Sequence, residues 1–330
     1  MHISTLRGFY TPEIVALRLR GLAPLKTTVV DTFFTRKVNH PFAKVGKDDI
    51  ADIGAAAPLI MRGAPSLALA HGPISVDDYE PYEAAYHKFF TAADMNNLQL
   101  LDKKGIEARL AGMDDSLRRT CRATAEGIAS TALTGTITWP IKLEGGGFDT
   151  YTVTFGSPLS YAPAKLWDAA DATMRHIFDD LQEMETKVQE SGYGGVVEYW
   201  AGKKAYGLLL ALAETYSTNP KAKLQVDVSD KGVSVGGYLV KKMAERYVNP
   251  QTGTTVPKVP DNKIMAFASD SAHTLFYCAI DDLDGKLAPL PYYSKPVDTK
   301  DPSGVKIIGR SKPFPVPIVK AICWAEVCAA

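Results

Sequence analysis

The chain has no excess of either charge. Lysine plus arginine and aspartate plus glutamate each number 37. A dedicated nucleic-acid binder usually carries a basic surplus, so DNA binding as the main task is disfavoured. Cysteine is scarce. Cys121, Cys278, Cys323 and Cys328 are spread over 330 residues, and none forms a C-x-x-C pair. A chain of this length buries a sizeable core without staples, so these read as buried free thiols in a reducing compartment. Long hydrophobic runs are missing too. The stretches IGAAAPLIM and YGLLLALA fall far short of a membrane span. The N-terminal MHISTLRGFYTPEIVALRLRGLAPL does not read as a signal peptide, because Arg18 and Arg20 break its apolar part. The expectation is a soluble, intracellular protein with no membrane partner.

Chemistry-bearing motifs are also lacking. Six histidines stand singly, with no G-x-S-x-G, no H-E-x-x-H and no Cys/His pair at ligand spacing. Gly145-Gly146-Gly147 lacks the Lys-Ser/Thr of a phosphate loop and opens no helix. The GYGG at 192–195 precedes a strand instead of following one, the wrong order for a dinucleotide fingerprint. His176, Asp179 and Asp180 share a helix face, but further ligands are wanting, so a solvated acidic face is expected there. Asp281, Asp282 and Asp284 before Gly285 resemble the start of a calcium loop whose closing Glu is absent, so a turn is expected. No catalytic residue, cofactor or metal is assigned, and an enzyme is not expected.

What the chain does contain is ordinary globular material, 46% apolar and 22% charged, in an α+β order. The length suggests two domains, or one with insertions. The first 28 residues set Arg7, Arg18, Arg20 and Lys26 against Glu13, and read as an arm ordered by contact with something else. Residues 27–38, TTVVDTFFTRKV, read as a strand. Residues 39–86 hold no period and are broken by Pro58, Gly63, Pro65, Gly72 and Pro73. They read as a long two-stranded excursion with its tip near 62–65, marginal without a partner surface.

A helix capped by Asp114 or Asp115 follows. Leu117, Cys121, Ala125, Ile128 and Ala132 form its buried stripe, Arg118, Arg119, Arg122 and Glu126 its outer face, and Gly135 closes it. Ile137, Trp139, Ile141 and Leu143, then Tyr151, Val153 and Phe155, alternate across the triple glycine as a hairpin. A second helix is expected from Pro163 to Glu190, with an acidic outer face and a hinge near 161–163 before it. Strand VVEYW, helix KKAYGLLLALAETY and strands QVDVS, VSVGGYLV and IMAFAS complete an α+β region. The chain ends in a strand-like PIVKAICWAEVCA.

An arm, an unsupported excursion and no site form the profile of a subunit that completes itself on its neighbours. Taken in order, EGIASTALTGTITWPIKLEGGGFDTYTVTFG, Leu166-Trp167, VVEYWAGKKAYGLLLAL, VPDNKIMAFASD and VPIVKAICWAEVCAA carry a resemblance from about residue 28 to the C-terminus. The chain resembles the major capsid protein E family of tailed phages and prophages, the lambda type, with the Hong Kong 97 capsid fold.

The resemblance implies an α+β capsid fold with an N-terminal arm, an extended loop, a peripheral domain with a long spine helix, and an axial domain. On this sequence the arm falls at 1–28, the first strand and extended loop at 29–90, the peripheral domain at 91–164, the axial domain at 165–300 and the returning segment at 301–330. It implies a structural head protein that self-assembles into hexamers and pentamers of an icosahedral shell in the virion, put together in the host cytoplasm. An encapsulin-like compartment shell is the alternative. The assembly residues are Leu59, Ile60, Met61, Arg62 and Gly63 of the extended loop and Arg18 and Arg20 of the arm. The implied partners are the chain itself, a separate scaffolding protein, a portal and an optional decoration protein, with genome DNA touched only weakly and non-specifically.

Overall fold

The computed structural model describes residues 8–46, 78–217 and 223–329. Helix α1 (Pro12–Gly21) opens at Thr11, whose side chain accepts the Ile14 N–H. A π-helical turn, Val29–Phe33, comes next, and strand β1 is confined to Arg36–His40. The strand expected over 27–38 is therefore half wrong. Val29, Val30, Phe33 and Phe34 are all fully buried, and a strand would bring only alternate residues to one face. The Glu126 carboxylate accepts the N–H groups of Val29 and Val30 at 2.8 and 2.9 Å, a pull from outside the segment that its β-branched residues do not announce.

Strands β2 (Val45–Gly46) and β3 (Asp78–Tyr79) pair antiparallel. Strand β4 (Ala84–Thr91) leads into α2 (Ala92–Gln99) and then α3 (Lys103–Ala132), a 30-residue helix. The cap of α3 is Asp102, which accepts the Gly105 N–H at 2.8 Å, and neither Asp114 nor Asp115. Asp114 lies inside the helix and is fully buried. The expected stripe is present at Leu117, Cys121, Ala125 and Ala132, whereas Glu126, expected on the outer face, is buried. Gly135 follows at φ +81°, and a Cβ there would meet the Gly156 carbonyl at 2.3 Å, so only glycine fits. Strands β5 (Thr136–Lys142) and β6 (Phe148–Thr154) form the expected hairpin. Pro140 is tolerated because, among the described residues, its ladder has two strands and one side of each is free.

After β7 (Leu159–Tyr161), helix α4 covers only Met174–Glu190. Residues 163–173 are irregular because Trp167 turns inward, its backbone N–H bonding the Val327 carbonyl at 2.7 Å and its indole N–H the Asp180 carboxylate at 2.8 Å. Tyr161, placed beside the expected hinge, belongs to the sheet and donates its hydroxyl to Asp180 at 2.9 Å.

Among the described residues there follow β8 (Val197–Ala201), α5 (Lys203–Ser217), β9 (Val226–Ser229), β10 (Gly232–Val235), β11 (Tyr238–Lys242), β12 (Arg246–Val248), β13 (Thr255–Pro257), β14 (Lys263–Ala268), β15 (Thr274–Cys278), β16 (Tyr293–Thr299), β17 (Gly304–Ser311), β18 (Pro313–Val316), a 3-10 turn (Val319–Ala321) and β19 (Ile322–Glu326). The stretch VSVGGYLV is thus a hairpin turned at Gly236-Gly237, not one strand.

The largest sheet has the order β7-β19-β14-β8-β11-β10-β9. Its two faces serve two cores. Ile264, Ala266 and Ala268 of β14 pack with α4 and α5, while Met265 and Phe267 between them pack with the π-turn and the end of α3. A third core lies where α1 and α3 meet the sheet β16-β17-β4, around Tyr10, Val15, Phe90, Leu117 and Ile307. Phe267, fully buried against Phe33 and Trp200, ties the sheet to the π-turn. Phe267→Ala is expected to cost about 3–5 kcal/mol. Urea unfolding of the subunit checks this, and a loss below 1 kcal/mol would mean the two layers are not joined there.

Candidate assembly surfaces

The arm lies on its own chain. Arg18 forms a buried ion pair with Asp114 of α3, with side chains 9% and 0% exposed. Its guanidinium also donates to the Phe9 carbonyl at 2.7 Å and sits 4.9 Å over the Tyr10 ring. Burial pushes the Asp114 carboxyl upward, against the opposing pull of Arg18. The expectation that the arm is ordered only by something else does not hold for residues 8–21. Of the two arm residues assigned to assembly, Arg18 is turned into the subunit and Arg20 is exposed. Asp114, the partner that matters, looked like a helix cap in sequence, and nothing local distinguishes the two roles.

A second charged knot joins the arm to the root of the excursion. Asp31 accepts the Thr27 N–H at 2.7 Å and pairs with Arg122 at 2.6 Å and with Lys37. One helical turn on, Glu126 holds the π-turn and pairs with Lys258, which also pairs with Glu245. Glu245 in turn accepts the Thr28 hydroxyl. Lys258 and Glu245 flank the β12–β13 hairpin, far from α3 in sequence, and no motif points to them.

Burial alone would raise the Asp31 pKa, but bonds from Arg122, Lys37 and the Thr27 N–H outweigh it and hold it at about 2. Folding therefore favours the ionised form. That stability is present above the ordinary 3.8 and is lost as the pH falls toward 2.

The root of the excursion is the β2–β3 pair. Tyr79 packs on Phe155 and Phe314, with ring centroids 5.5 and 5.8 Å away. His40 bonds the Lys44 carbonyl at 2.8 Å, and Phe42 is exposed. Leu59, Ile60, Met61, Arg62 and Gly63 lie outside the described residues. Beside the root, the β5–β6 hairpin and residues 81–87 enclose a groove of about 650 Å³ lined by Tyr82, Tyr86, Trp139, Phe148 and Tyr151.

The sequences weighed as metal or catalytic sites are occupied by structural bonds. His176 accepts the Thr173 N–H at 3.2 Å, capping α4. Asp179 pairs with Arg175, and Asp180 is buried under Trp167 and Tyr161. Glu185 accepts the Tyr238 hydroxyl at 2.8 Å, so Asp180 and Glu185 leave the acidic outer face expected on this helix, while Glu183 and Glu190 remain exposed on it. Asp282 and Asp284 are neutralised by Lys295, and Asp282 caps its own turn. Among the described residues, no group of three His, Cys, Asp or Glu could hold a metal ion, and no helix is long and apolar enough to cross a membrane. The four cysteines are free and buried.

Three solved structures illustrate the likeness. One is a capsid protein assigned to a prophage of Escherichia coli CFT073, at 14% identity, covering 97% of this chain and 99% of that chain with a TM-score of 0.65. Another is a phage-related protein of Bordetella bronchiseptica RB50, at 11% identity, 96% and 97% coverage and a TM-score of 0.49. A third is the capsid of an empty GTA particle, at 13% identity, 93% and 92% coverage and a TM-score of 0.47. No curated protein sequence matches the chain. The fold, on the first of these, is the Hong Kong 97-type phage capsid fold. The chain belongs to the phage major capsid protein E family, which matches residues 15–327. It is a structural shell protein of a phage head, and its place is the virion capsid.

Two outcomes follow from the charged contacts. Arg18→Ala leaves Asp114 buried without its cation and is expected to cost about 3–5 kcal/mol, partly recovered by adding Asp114→Asn. Urea unfolding and the rate of protease cutting in the arm check it; wild-type values for both would mean the pair does not hold the arm. Asp31→Asn is expected to weaken the subunit at neutral pH and to flatten the loss of stability on acidification from about pH 4 to pH 2. Unfolding curves at a series of pH values decide this, and an unchanged acid limb would remove Asp31 from the account.

Proposed function

We propose that the subunit assembles with itself into the hexamers and pentamers of an icosahedral shell around double-stranded DNA, in the host cytoplasm, and that it catalyses no reaction. The family match over residues 15–327 carries this reading. Residues 1–28 serve as the arm, 29–90 as the first strand and extended loop, 91–164 as the peripheral domain with α3 as its spine, 165–300 as the axial domain and 301–330 as the segment returning to the body. Leu59, Ile60, Met61, Arg62 and Gly63 reach a neighbouring subunit. Antiparallel pairing of β2 with β3 supports an excursion that leaves and re-enters the body at one root. Exposed Arg20 is the arm residue available to a neighbour, while Arg18 acts indirectly by fixing the arm.

A separate scaffolding protein, a portal and an optional decoration protein complete the partners. Contact with the genome is phosphate-driven, weak and steeply salt-dependent, in keeping with the balanced charge. The encapsulin-like alternative has no observation of this chain in its favour.

Negative-stain microscopy of the purified protein, alone and with its scaffold, tests assembly. Shells or capsomers are expected, and a monodisperse monomer under several salts would refute the reading. Replacing Ile60 and Met61 with Asp is expected to block assembly while leaving the circular dichroism spectrum unchanged. Normal shells from that variant would move the contact elsewhere.

A further inference from the structure

The arm covers a cavity of about 550 Å³. One wall is α1 and the chain after it, through Val15, Leu19 and Leu25. The opposite wall is the body, through Ala125 of α3 and Leu290 and Tyr292 before and in the approach to β16. The volume falls inside the range of roughly 300–1,000 Å³ found for small-molecule sites. Arg118 and Arg122, one helical turn apart on α3, also line it, as does Lys286, and among the described residues no carboxylate does. Arg122 is committed to Asp31, Thr27 and Tyr277. Arg118 uses one terminal nitrogen on Asp115 and the Ala23 carbonyl, while its buried Nε–H has no hydrogen-bond partner among the described residues. Apolar walls, cations and no anion define the chemistry that would fit: an apolar body with one negative end.

We propose that this cavity binds one amphipathic monoanion, an unbranched alkyl carboxylate, with its chain between α1 and the body and its carboxylate at Arg118. The inference does not depend on the shell reading. Because one wall is the arm and the other the body, a bound ligand bridges the two and favours the docked arm by mass action.

The test uses the full-length subunit and decanoate below its micelle concentration, with decanol and decyltrimethylammonium in parallel. Calorimetry reads binding, and the rate of protease cutting between α1 and the π-turn reads arm docking. Saturable one-site binding of decanoate is expected, with cutting slowed several-fold and decanol at least tenfold weaker. Arg118→Gln should bring decanoate down to the decanol level, and Ala125→Phe, which fills the cavity, should abolish binding of both. If Ala125→Phe does not fold, Leu290→Trp fills the same space from the other wall. No saturable decanoate binding, binding that survives the filled cavity, or equal binding of decanoate, decanol and the cationic analogue overturns the proposal.

Discussion

Two carboxylates buried on one helix cannot remain there alone. Asp114 and Glu126 stand twelve residues apart on α3, about 18 Å along its axis, and both are buried. An unpaired charge in such a place costs far more than a lost surface contact. Each is therefore compensated by a segment brought from elsewhere. Asp114 takes Arg18 and with it the arm. Glu126 takes the N–H groups of the π-turn and the ammonium of Lys258, which brings in the β12–β13 hairpin. The positions of three otherwise independent pieces follow from these two groups.

The same economy runs through the large sheet. Alternation along β14 sends Ile264, Ala266 and Ala268 to the helices and Met265 and Phe267 to the π-turn. One strand thus serves two cores, and a change in either is felt in both through close packing. For a shell protein this suits the task. A shell subunit needs a body whose parts hold register, and β7, β19 and β14 tie the residues around Tyr161 and Trp324 into one sheet. The indole N–H of Trp324 also reaches the Leu133 carbonyl at the end of α3, at 3.0 Å, linking that sheet to the long helix.

Several elements were legible in the chain itself. The period of Leu117, Cys121, Ala125 and Ala132, the alternation on both sides of the triple glycine, and the glycine at 135 follow from local sterics and from which face must leave water. Those rules act between near neighbours in sequence, and α3, the β5–β6 hairpin, α5 and β14 formed as they require. The family resemblance, resting on the order of such elements, was legible for the same reason. The absence of catalytic motifs pointed the same way.

What only the tertiary structure decided were the places where a group far away in sequence overrides the local rule. The segment 29–33 is rich in β-branched and aromatic residues, yet it turns as a π-helix because Glu126 takes its N–H groups and Val29, Val30 and Phe33 all reach the core. Asp114 has the look of a cap and is a buried counter-ion, because Arg18 lies 96 residues earlier. Residues 163–173 have a helical pattern and are irregular, because Trp167 is drawn to Asp180 and Val327. In each case the deciding partner is remote, and a pattern read from neighbours carries no information about it. Local sterics and hydrophobic period set the elements of this protein; buried charge and its distant compensation set where they meet.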